Sequence, residues 1–206
     1  MPIRTFDFCA LQFLNQWLEK EAGLCESLAS DSKIIQQDAL VKAGVHFRIA
    51  RTLPTKFEEE KGLVRYQPVL KVLDGIKEAE VTPDNVERVV RDAQQEISSQ
   101  YGERKVLSLT TKFLWLKIKS PIRIYDRQAR IALGTREGDF SAFNAEFSIR
   151  FAEFASEIDE ACTRLKSVVS YSVHPKMRPS GVETLTSKQW FKERVFDIYL
   201  WNKGSV

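Results

Sequence analysis

Two residues carry the most suggestive chemistry in this chain: Lys112 in "LTTKFLWL" and Asp126 in "IYDRQARIAL". A lysine set early in a strongly apolar helix has two readings. It can lay its methylene stem along the apolar face and keep its charge in water. Alternatively, it is drawn out of water, where desolvation and a nearby positive helix end both favour the neutral amine. A neutral amine is what attack on an electrophilic carbon requires. Asp126 also has two readings. As a helix N-cap it satisfies free backbone N–H groups and stabilises the helix by about 1 kcal/mol. The same hydrogen bonds would fix its carboxylate rigidly beside a developing cation. The segment between the two residues is long enough for one helix to end and the chain to return.

The pair lies inside a basic block. From Glu103 to Arg136 nine basic residues stand against two acidic ones, a net +7; the whole chain carries +3, so the remainder is −4. Such a block is either a solvated helix surface or a face that tracks phosphates. Metal chemistry has little to draw on, because the only histidines are His46 and His174 and the three cysteines, Cys9, Cys25 and Cys162, are widely spaced. An odd number of scattered cysteines suggests reduced thiols and a cytoplasmic protein. No apolar run is long enough to span a membrane, and the N-terminus reads as a buried helix rather than a secretion signal.

The elements that must position the pair are helical. Phe6, Ala10, Phe13, Leu14, Trp17 and Leu18 share one face of a first helix. A second helix is expected from about Asp31 to Arg51, capped by Ser30 or Asp31, with Gly44 able to bend or split it. Pro68 opens a short helix to about Leu73. Thr82 caps the next, with Pro83 at its first position, Val86, Val89, Val90, Ala93 and Ile97 as its apolar stripe, and Gly102 as terminator. The lysine-bearing helix is expected from near Ser108 to about Lys117. Pro121 then imposes extended backbone, and Asp126 caps Arg127 to Leu133, closed by Gly134. One long helix from Ser141 to about Lys166 carries Phe143, Phe147, Phe151, Phe154, Ile158, Cys162 and Leu165 as core. A loop with one short strand follows, and then a last helix, capped by Thr186 or Ser187 and stopped by Gly204. The class is all-α, with about seven to eight helices. They form a single domain over residues 1–206, or two small lobes with a cleft near Lys112 and Asp126.

"LTTKFLWL", a short connection and then "IYDRQARIAL" resembles the lysine-then-aspartate half of helix-hairpin-helix DNA glycosylases, in particular their 8-oxoguanine DNA glycosylase-like branch found in bacteria. The likeness covers roughly Val106 to Leu133. It implies that Lys112 is the nucleophile and Asp126 its carboxylate partner, acting on a damaged or modified base in duplex DNA without a cofactor, with strand cleavage (lyase activity) as a companion reaction. It further implies phosphate contacts from Arg104, Lys105, Thr111, Lys117, Arg127 and Arg130. Trp115 and Tyr125 are base-stacking candidates, and both residue types equally suit a core. One departure stands out. The family's hairpin reads Leu-Pro-Gly-x-Gly, whereas "GERKVLSLTTK" has no glycine immediately before the lysine, which removes a close backbone approach to phosphate.

Other candidates are lesser. Arg48 and Arg51 on a predicted helix could bracket a phosphate or pair with Glu58 to Glu60. His174 lies in a loop without an identified partner. Two competing functions remain beside the enzyme: a non-catalytic nucleic-acid-binding protein that keeps the glycosylase-like helices, and a helical protein-interaction module built on "WFKERVFDIYLW".

Overall fold

Every regular element of the structure, a computed structural model that describes residues 4–54 and 64–205, is helical. The α-helices are α1 (Phe6–Gln16), α2 (Ala22–Leu28), α3 (Lys33–His46), α4 (Gln67–Asp74), α5 (Val86–Gln100), α6 (Leu107–Ile118), α7 (Arg127–Leu133), α8 (Phe140–Glu153), α9 (Ala155–Val168), α10 (Pro179–Thr186) and α11 (Gln189–Lys203). A π-helical turn, Trp17–Glu21, joins α1 to α2, and counting those two together gives ten helices among the described residues rather than seven or eight. The chain groups into two compact units, residues 23–124 and residues 1–22 with 125–206.

Within the unit of residues 23–124, α6 is the central helix, with α3, α4 and α5 packed on it. Its surroundings explain its composition: ten of its twelve residues are buried, so it has no face on which polar residues could collect. The helix α5 buries Val86, Val90, Ala93 and Ile97 of the stripe its periodicity predicts and leaves Val89 half-buried. It begins later than expected. Thr82 to Asn85 form a turn that the Asn85 side chain ties together, accepting from the Thr82 N–H at 2.9 Å and donating to the Glu80 carbonyl at 2.8 Å. Gly102 adopts the left-handed backbone of a helix terminator. Gly44 does not split α3, which runs through it to His46. It is buried where a Cβ would meet the Tyr66 hydroxyl at 2.5 Å, so it admits the aromatic ring that packs edge-on against Phe113. The chain leaves α3 after His46 through Arg48, which is left-handed at φ 56°; Arg48 and Arg51 therefore do not share a helix. Glu58 to Glu60, their suggested partners, lie outside the described residues.

In the other unit, α11 packs closely on α7 and also on α1 and α9. Gly204 ends α11 over the α7 backbone, where any Cβ would fall on the Gln128 carbonyl. The Lys188 backbone, not Thr186 or Ser187, occupies the N-cap position of α11. The predicted long helix is two, broken at Phe154 (φ −105°, ψ 10°), whose ring packs against Phe6 and Tyr199 at 5.5 and 5.9 Å. The expected loop contains α10, with Pro179 at its first turn and Val182 and Thr186 buried, and the described residues include no strand. The π turn places Glu21 inside, fully buried. There it accepts from the Arg194 guanidinium at 3.1 Å, while Arg194 also pairs with Asp197 and lies 5.3 Å over the Phe13 ring. Burial works against that guanidinium's charge, but the carboxylates of Glu21 and Asp197 more than offset it and hold its pKa above the ordinary value.

Burial pushes the thiols of Cys9 and Cys162 up to about 12, so both stay protonated, and the three cysteines are free of disulfides. Among the described residues no helix is long and apolar enough to cross a membrane, and no group of three His, Cys, Asp or Glu residues could hold a metal ion.

Candidate functional site

Lys112 is the sixth of the twelve residues of α6, not an early one. The helix end therefore contributes little to it, because that influence fades within the first turn. Burial is the dominant feature of its environment: the residue is 4% exposed, which excludes the snorkelling arrangement. In a helix the Cα–Cβ bond tilts toward the N-terminus, so a lysine leans back over the residue four before it. Here that residue is Ser108, half-buried, whose Oγ lies 2.7 Å from the Lys112 Nζ. Ser108 is not among the residues the sequence singles out, yet a hydroxyl and an amine at i, i+4 spacing occupy one helix face.

Neighbouring polar groups serve the helix itself. Thr111 is fully buried and its hydroxyl donates to the Leu107 carbonyl at 3.1 Å, so it offers nothing to a phosphate, contrary to its predicted role. Thr110 is also fully buried, and its hydroxyl has no hydrogen-bond partner among the described residues. Trp115 is 2% exposed and belongs to the core, not to a stacking surface. Tyr125 is likewise buried. Its hydroxyl accepts from the Gly138 N–H at 2.9 Å and its ring meets Phe143 edge-on at 5.1 Å.

Asp126 occupies the N-cap of α7 as the sequence predicts. Its extended backbone (φ −129°, ψ 151°) turns the side chain back so that Oδ1 accepts from the Gln128 N–H at 3.0 Å. Gly134, left-handed at φ 69°, closes the same helix. Lys112 belongs to the unit of residues 23–124 and Asp126 to the other, and each is fixed by local hydrogen bonds within its own unit.

The same boundary divides the basic block. Arg104 and Lys105 are exposed in one unit, as is Arg127 in the other. Two of the predicted phosphate contacts are otherwise engaged. The half-buried Lys117 amine donates to the Leu73 carbonyl; burial lowers its pKa, and the Asp74 carboxylate opposes that shift. Arg130 donates from Nη1 to the Thr135 carbonyl at 2.8 Å, tying down the end of α7. Arg104 reaches the Thr52 carbonyl at 3.3 Å while remaining exposed. In "WFKERVFDIYLW" the residues Phe191, Val195, Phe196, Ile198 and Leu200 are buried, Trp190 and Tyr199 are half-buried, and Trp201 is 42% exposed. His174 is exposed in the loop before α10. No protein family, no curated protein and no solved structure matches this chain.

Proposed function

We propose that the chain is a lysine-dependent DNA glycosylase that excises a damaged or modified base. The observation that carries this reading is Lys112 itself, an amine buried in the middle of a helix with ten of its twelve residues inside and held against a serine hydroxyl rather than displayed at the surface. A lysine so placed incurs a desolvation cost that a surface role would not require, and amines in that setting serve as nucleophiles. The likeness of Val106 to Leu133 to helix-hairpin-helix glycosylases supplies the substrate class.

The reaction can be written out. An extruded nucleotide presents its sugar to the amine, at an unstacking cost of a few kcal/mol. Nζ attacks C1′, the glycosidic C1′–N bond breaks, and its electron pair leaves with the base, which takes up a proton. The resemblance assigns to the Asp126 carboxylate the stabilisation of the positive charge that develops on the sugar. In the lyase branch Nζ loses a proton and its lone pair expels O4′ from C1′, which gives a Schiff base and a protonated ring oxygen. Loss of a C2′ proton then breaks the C3′–O3′ bond. Exposed Arg104, Lys105 and Arg127 hold phosphates, contacts that position DNA without reading its sequence.

Borohydride delivers hydride to the C1′ of such a Schiff base and locks it as a secondary amine. Trapping on duplexes that carry modified bases is therefore expected to yield a covalent adduct, abolished in Lys112→Ala. Neither adduct nor released base across a broad lesion panel would end the enzyme reading. The absence of glycines immediately before Lys112 favours a second reading, a non-catalytic DNA-binding protein. Asp126→Asn separates the two, since the enzyme loses turnover with binding retained, whereas a pure binder is unaffected.

A further inference from the structure

We propose that Ser108 is a positioning residue for Lys112, and that its hydroxyl stays hydrogen-bonded to the amine before and after proton transfer. The inference rests on the reading of Lys112 as the nucleophile. Its basis is the 2.7 Å contact between Ser108 Oγ and Lys112 Nζ on one face of α6.

Three properties make a serine suited to this place. A lysine stem has several rotatable bonds, and a fixed partner one turn back selects a single direction for the amine. A hydroxyl both donates and accepts. The ammonium can therefore donate to Oγ, and the neutral amine can accept from O–H. A carboxylate in the same position could only accept, and its charge would hold the lysine protonated. Finally, Ser108 keeps partial exposure whereas Lys112 does not. Once the Nζ–C1′ bond has formed, Nζ carries a proton it must lose. Ser108 Oγ takes that proton as its own hydroxyl proton passes to water, so the serine is unchanged at the end of the step.

The test uses the full chain and a short duplex containing one abasic site, whose C1′ aldehyde condenses with an amine without prior base excision. Ser108→Ala is expected to slow borohydride trapping about fivefold, the size of one lost hydrogen bond, with the affinity for the duplex unchanged. Ser108→Thr, which restores a hydroxyl, should recover part of the rate. Ser108→Asp should move the acid limb of the trapping rate upward by about one pH unit or more. In protein labelled with 13C-lysine, the Lys112 ε-carbon titration should move the same way without DNA. Trapping by Ser108→Ala at the wild-type rate, or no recovery with Ser108→Thr, would overturn the inference. An unmoved Lys112 titration in Ser108→Asp would remove the contact itself while leaving the enzyme reading to stand on trapping. Failure of the wild-type chain to trap would instead end the nucleophile reading and, with it, the role assigned to Ser108.

Discussion

Two helices of this protein bury a cationic residue, and they do so in opposite ways. In α11, Arg194 meets the carboxylates of Glu21 and Asp197 and lies over the Phe13 ring. In α6, Lys112 meets the hydroxyl of Ser108. A guanidinium cannot be deprotonated in proteins, and set between two carboxylates it acts as a permanent electrostatic brace. A lysine beside a hydroxyl can change its protonation state without breaking its hydrogen bond. Burial of charge alone therefore does not mark chemistry. A hydroxyl partner that tolerates both protonation states, as Ser108 does, is what the carboxylate brace around Arg194 lacks.

The largest effect that could break this contrast is on stability. Arg194→Ala leaves Glu21 and Asp197 as buried carboxylates without their guanidinium and should cost about 3–5 kcal/mol in urea unfolding. A cost near zero would mean that the cluster braces nothing. Lys112→Met should cost less than about 1.5 kcal/mol, because a thioether of similar volume suits an apolar helix, while trapping is lost completely. If it destabilises the fold as much as Arg194→Ala does, Lys112 is a second brace. Asp126→Ala should cost about 1 kcal/mol through the lost N-cap, and Asp126→Asn much less, because asparagine caps nearly as well. An unfolding midpoint that separates these two variants from wild type equally would assign the carboxylate a structural role beyond capping. The smallest effect concerns the basic block. Lys105→Ala should reduce the slope of log Kobs for DNA against log salt by about one, whereas Lys117→Ala should not, since its amine is held by the Leu73 carbonyl. Equal slopes for the two variants would show that exposure does not decide which cations meet phosphate.

Local interactions are what the sequence revealed well. The all-helical class, the Val86–Ile97 stripe, the Asp126 cap and the Gly134 stop all depend on residues within about one turn of each other, the range over which side-chain periodicity and capping act. Pro179 shows how the same local evidence can mislead. It lies in a segment expected to be a loop and instead starts α10, because proline is as well suited to the first turn as it is unsuited to the interior. The break at Phe154 was invisible to periodicity, since phenylalanines at threes and fours continue across it; the chain turns there because α8 packs on α7 while α9 packs on α1 and α10.

The lysine–aspartate motif, the helical class and the basic block were thus determined by sequence alone, since each is a matter of residue type and short spacing. Tertiary structure decided whether Lys112 reaches water, which threonine and aromatic side chains are core, and that Ser108 is the lysine's neighbour. The physical reason is that burial belongs to the neighbours. The residues of α6 read the same whether one side of the helix or all of it is covered, and only tertiary packing, which lays α3, α4 and α5 on α6 and buries ten of its twelve residues, keeps Lys112 from being an ordinary surface cation.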